Sequence, residues 1–229
     1  MATKKNDKAA LQQERQEKIE ETVSKTEQFY NENKKTIWGC IIAAAVIALG
    51  VLAYNQFYLK PKVAEAQEQA YPAEAAFRAG NFELALNGDG NNYGFAQIID
   101  EYGSKAGKAM PFYAGVCALQ LKDYEAAVDY LKKYKGKDPI LAARAQACLG
   151  DALAGLERYE EAAAQFEKAA GVSDNMFAAG YLLKAAVTYE ELGANDKALA
   201  LYETIKDKYP QSMEAYDIDK YINRIKIAE

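Results

Sequence analysis

Three stretches of this 229-residue chain repeat one spacing of small and large apolar residues. Ala143–Met176 carries Leu149, Gly150, Leu153, Leu156, Tyr159, Ala162, Phe166 and Ala169 at helical intervals. Its two amphipathic halves meet at a turn around Gly155–Arg158. Lys108–Leu141 sets Gly115, Ala118, Leu121, Tyr124, Ala127, Leu131 and Pro139 in matching places, and Ala179–Ser212 sets Ala186, Tyr189, Leu192, Asn195, Ala198, Tyr202 and Pro210 there. Small residues fall where two helices must approach, and large ones fill the space beside them. A helical hairpin of this kind cannot bury its apolar face alone, so neighbouring copies must stack.

The pattern resembles the tetratricopeptide repeat, a helix–turn–helix unit of about 34 residues. The departures are Pro111, where the repeat often carries Trp, and Asp174, where Pro is usual. The expected fold is all-α: a single N-terminal transmembrane helix, then a tetratricopeptide-repeat α-solenoid with a C-terminal capping helix. The expected organisation is a polar helical leader over 1–35 and a membrane helix over 36–58. A degenerate first repeat with an NGDGNN insertion covers 59–107, with repeats over 108–141, 143–176 and 179–212 and a cap over 213–229.

Ile37–Ala53 is 17 residues without a charge, extended by Tyr54–Tyr58. At about 1.5 Å per residue, 20–22 helical residues cross a hydrocarbon core of about 30 Å. Trp38 at one end and Tyr54, Phe57 and Tyr58 at the other suit the interfacial belts. The leader holds eight Lys and Arg against seven Asp and Glu, whereas the rest of the chain holds 20 against 26. This asymmetry favours a cytoplasmic N-terminus with the repeat domain translocated across the membrane. Cleavage after Val51-Leu52-Ala53 is the alternative, although 35 polar residues make a long leader for a signal peptide. Gly39, Cys40, Ala43, Ala44 and Ala48 align small residues for close helix packing inside the membrane.

The formal charge of −5 argues against nucleic acid, since phosphate binding needs concentrated Lys and Arg. With no His, the chain lacks the commonest general base and metal ligand. No nucleophile-elbow or phosphate-loop motif occurs, and Glu160-Glu161 and Glu190-Glu191 read as solvated helix faces. No enzyme activity, cofactor, metal or small-molecule substrate is expected. Asn87, Asp89 and Asn91 alternate like the first ligands of a calcium loop, but Asn92 and Ile98 stand where such a loop wants Gly and Glu. The competing reading is a turn.

Lys62–Gly80 reads as a helix, Phe82–Leu86 as the start of a short one, and Tyr93–Tyr102 as its resumption. Cys117 and Cys148 read as buried thiols or as a pair in an oxidising exterior. In the last stretch Met213, Tyr216, Ile218, Tyr221, Ile222 and Ile225 are expected to face inward, with Asp219, Lys220, Asn223, Arg224 and Lys226 outward.

The repeat resemblance implies that the first helix of each pair lines a concave protein-binding face. Transferred onto this sequence, the groove positions are Phe112, Val116, Leu119 and Gln120, then Arg144, Ala147 and Asp151, then Leu183, Val187 and Glu190. The places where some relatives clamp a terminal carboxylate hold Phe112, Val116, Cys148, Gly180 and Lys184. Only Lys184 suits that task, so an extended apolar segment or a partner helix fits better.

Nearly the whole chain is similar to tetratricopeptide-repeat membrane proteins of the Bacteroidetes group. The similarity rests on Lys25-Thr26-Glu27-Gln28-Phe29, Leu84–Phe95 (LALNGDGNNYGF), Ile98-Ile99-Asp100-Glu101-Tyr102 and Tyr113-Ala114-Gly115. The layout of leader, span and repeats resembles the ancillary subunit of the bacterial Sec translocon. That resemblance implies a scaffold beside the translocon that hands emerging chains to chaperones. The implied partners are translocon subunits, periplasmic chaperones or exported clients. A scaffold for another envelope assembly machine, in outer-membrane or cell-wall biogenesis, is the second reading.

Overall fold

The computed structural model describes residues 29–30, 32–172, 174–175 and 177–228. Most of the leader expected over 1–35 therefore lies outside the described residues. The chain divides into two compact units, Met1–Lys60 and Pro61–Glu229. Among the described residues the structure is helical with no strand.

In the first unit, helix α1 covers residues 32–54. Its apolar side chains stand exposed, Ile47, Leu49 and Leu52 among them. Glu32–Arg78 is helical throughout, and its most apolar 18-residue window has mean hydropathy 2.4 and none of its residues buried. Among the described residues it is the one helix long and apolar enough to cross a membrane. Within this helical run Asn55–Leu59 forms a π-helical turn. Two residues later comes Pro61, which has no N–H for the carbonyl of Phe57, and a widened turn accommodates that loss. Tyr54 and Tyr58 stack there with ring centroids 5.1 Å apart.

The second unit contains α2 (Lys60–Arg78), α3 (Phe82–Asn87), α4 (Phe95–Tyr102), α5 (Met110–Gln120) and α6 (Tyr124–Lys133). It continues with α7 (Pro139–Gly155), α8 (Tyr159–Val172), α9 (Ala178–Glu191), α10 (Asn195–Lys208), α11 (Met213–Tyr216) and α12 (Ile218–Ala228). Helices α5 and α6, α7 and α8, and α9 and α10 form antiparallel hairpins, and each hairpin packs on the next. The small-against-large logic of the sequence is met atom by atom. A Cβ on Gly115 would stand 2.6 Å from Cγ of Leu131, and one on Gly150 would stand 2.6 Å from the Phe166 ring. In the third hairpin Ala186 and Tyr202 hold the same two places, both fully buried.

The hairpin turns share a device that the sequence does not announce. Lys122, Glu157 and Gly193 occupy equivalent positions and all have positive φ, at 62°, 60° and 70°. At each, the next residue's N–H reaches back to a carbonyl five residues earlier: Asp123 to Ala118, Arg158 to Leu153 and Ala194 to Tyr189, all at 2.9 Å. This left-handed ending satisfies helix carbonyls that would otherwise lack partners. Gly80 (φ 78°) and Asn81 close α2 in the same way, with Asn81 N–H on the Ala76 carbonyl.

The NGDGNN segment is a turn held by its own aspartate. The Asp89 carboxylate accepts from the backbone N–H of Asn91 and Asn92, at 2.9 and 2.7 Å, and from the Asn92 amide. These hydrogen bonds, those of Asn92 foremost, hold its carboxyl below the usual range. Gly88 and Gly90 supply positive φ at 74° and 88°. No cluster of three or more Asp, Glu, Cys or His able to hold a metal occurs among the described residues.

The cap differs from expectation at its start. Met213 and Tyr216 are 91% and 90% exposed, while Ile218, Ile222 and Ile225 are buried against Tyr202 and Ile205. The four-residue α11 ends at Asp217, and this break puts its apolar residues out of phase with α12. Arg224 turns back onto α9, where it pairs bidentately with Glu190 at 2.7 and 2.9 Å.

Candidate protein-binding cleft

Helices α5, α7 and α9 are the first helices of successive hairpins, and together with Phe77 of α2 they enclose an open cleft of about 450 Å³. The hairpin stacking creates it, because each first helix presents one face to its own second helix and another to the concave side. Tyr113, Val116, Leu119, Leu141 and Tyr181 give the walls an apolar and aromatic character. Phe77 and Tyr113 meet edge to face with centroids 5.2 Å apart, and Tyr113 stacks on Phe95 at 5.7 Å.

Seven of the ten transferred groove positions line this one cleft: Phe112, Val116, Leu119, Gln120, Arg144, Ala147 and Asp151. Their contributions differ. Phe112 is only 4% exposed and packs against Tyr134 and Tyr113, so it forms the floor rather than a reachable surface. Ala147 is likewise buried, whereas Gln120 and Arg144 are exposed at the rim. Leu183, Val187 and Glu190 lie outside the cleft. Leu183 packs against the C-terminal core cluster, and Glu190 is taken by Arg224 and by the Tyr202 hydroxyl at 2.8 Å.

Phe77, Tyr113, Leu141 and Tyr181 line the cleft without having been singled out from the sequence as groove residues. Tyr113 and Tyr181 do carry a signal, since each sits one turn or less from a transferred position on the same helix. Lys184, considered only as a clamp residue, also lines the cleft, and its ammonium donates to both oxygens of Asp151 at 2.7 and 2.8 Å. It lies over the Phe166 ring, 5.4 Å from the centroid. Four of the five clamp positions, Phe112, Val116, Cys148 and Lys184, line the cleft and Gly180 does not, but of these only Lys184 carries a charge that could meet a carboxylate.

Burial pushes the Cys148 thiol up to about 11, Asp151 adding to the rise while Arg144 and Lys184 oppose it. Burial also raises the Tyr181 hydroxyl, against the field of Arg144. Burial lifts the Cys117 thiol, which does not line the cleft, to about 12. Both cysteines are free thiols.

On α1, Gly39 has no atom within 4 Å of where a Cβ would stand, and Cys40, Ala43, Ala44 and Ala48 are all exposed. Their small-residue face is therefore open.

Models of the tetratricopeptide repeat match residues 95–139, 143–175 and 181–212. No curated protein matches the chain in sequence. Among solved structures, "MamA AMB-1 C2221" is similar at 20% identity and a TM-score of 0.48, covering 66% of this chain and 96% of that one. "MamA MSR-1 C2" is similar at 20% identity and a TM-score of 0.47, covering 73% and 98%. The hairpins over 95–212 are tetratricopeptide repeats, units of the kind that mediate contacts between proteins.

Proposed function

We propose that this chain is a membrane-anchored scaffold whose cleft between α5, α7 and α9 holds an extended, largely apolar segment of another protein. The observation that supports this most is the open lining of Tyr113, Val116, Leu119, Leu141 and Tyr181, set on three rigid helices. Rigid walls spare the ordering cost that a loop-built site would incur on binding. The apolar residues of 36–58 tether the scaffold to a bacterial inner membrane, with the basic leader in the cytoplasm and the repeats in the periplasm. In that position the scaffold works beside the Sec translocon and passes exported chains to chaperones, as the resemblance of its layout suggests. The scaffold receives and positions chains and performs no reaction on them.

Purification of the intact protein from membranes in a mild detergent, followed by mass spectrometry, tests the assignment. Recovery of translocon subunits is the expected result. Recovery of outer-membrane or cell-wall assembly components without them would move the scaffold to the second reading. Release of the intact chain by alkaline extraction would refute the anchor.

A further inference from the structure

Three charged side chains face the cleft: Arg144, Asp151 and Lys184. Asp151 and Lys184 neutralise each other through the paired contacts at 2.7 and 2.8 Å. Arg144 is exposed at the rim and has no carboxylate partner among the described residues. The cleft therefore holds one uncompensated positive charge in a chain whose net charge is −5.

We infer that the cleft selects segments in which an apolar side chain lies close to an Asp or Glu side chain, the apolar group entering between Leu119, Leu141 and Tyr181 and the carboxylate meeting Arg144. This deepens the proposed function and rests on it. A guanidinium fork takes a carboxylate through two parallel hydrogen bonds, which fixes the register of a bound segment as well as attracting it. A lysine or arginine in the same place would meet like charge beside an apolar wall, so the arrangement also rejects basic segments. A side-chain carboxylate fits better than a chain terminus. The positions that would supply further donors to a terminus hold Phe112, Val116, Cys148 and Gly180, and Lys184 is already occupied by Asp151.

The test uses the full chain in nanodiscs and three fluorescent peptides sharing one apolar centre, flanked by two Glu, two Gln or two Lys residues. Anisotropy titration should show the Glu peptide binding about fivefold more tightly than the Gln peptide, and the Lys peptide more weakly than both. Arg144→Gln should erase the preference of the Glu peptide over the Gln peptide. Asp151→Asn, which frees Lys184, should tighten the Glu peptide further. Equal affinities for the three peptides, or a preference that survives in Arg144→Gln, would overturn the inference and leave the cleft as a binding site. Failure of every peptide to bind would overturn both.

Discussion

Alanine substitution at two glycines of one hairpin should change stability in opposite directions. Gly150 faces Phe166 so closely that an added Cβ would stand 2.6, 2.7 and 3.0 Å from three ring carbons. Phe166 is 3% exposed, and its ring cannot move away without disturbing the hairpin. Overpacking of this sort costs about 1–3 kcal/mol. The gain in helix propensity from Gly to Ala returns about 1 kcal/mol. Gly150→Ala should therefore destabilise by up to about 2 kcal/mol. Gly171, near the end of α8, has open space where its Cβ would stand, so Gly171→Ala should stabilise by up to about 1 kcal/mol. Denaturant titration of the full chain in detergent, followed by circular dichroism, measures both. Adding Phe166→Leu to Gly150→Ala should cost less than the two changes separately, because the smaller side chain relieves the clash. If Gly150→Ala proved as stable as Gly171→Ala, the close-approach account of the repeat would fail.

Glu157→Gly should raise the unfolding midpoint, since a left-handed non-glycine residue costs about 1 kcal/mol or more, and Gly193→Ala should lower it for the same reason. Glu190 gives a pH prediction. Burial works to raise its carboxyl, but the Arg224 guanidinium and the Tyr202 hydroxyl outweigh burial and hold it below the ordinary range. Its contribution is thus present above the unfolded-state value near about pH 4 and is lost as pH falls through the lower folded-state value. Glu190→Gln should flatten the stability profile below about pH 4, measured by thermal melts across pH. In the cap, Ile222→Ala should cost about 2–5 kcal/mol, whereas Met213→Ser should stay within about 0.5 kcal/mol, both read by denaturant titration.

The hairpins were legible because their spacing is a direct consequence of helix geometry: Gly115, Gly150 and Ala186 must be small where Leu131, Phe166 and Tyr202 press on them. The turns were legible as turns but not in conformation. Lys122 and Glu157 carry no glycine signal, and their left-handed state is imposed by the carbonyls of Ala118 and Leu153 seeking partners. At Met213 and Tyr216 a continuous helical period misleads, because Asp217 ends α11 and resets the phase. The cleft was partly legible. Positions transferred from the repeat reach Leu119, Gln120 and Arg144, but the wall from Phe77 belongs to a preceding helix whose place depends on tertiary packing. Phe112 shows the opposite limit, since a transferred position says nothing of whether a side chain has turned into the core.

In the proposed function the cleft, and no other face of the repeats, holds another protein's chain. A photo-crosslinking residue placed at Gln120 on the cleft rim, and separately at Lys220 on the exposed side of α12, tests this in intact membranes. Discrete adducts are expected from position 120 that disappear when Leu119→Asp is added and folding is retained, with none from position 220. Equal adducts from both positions, or adducts from 120 indifferent to Leu119→Asp, would contradict it.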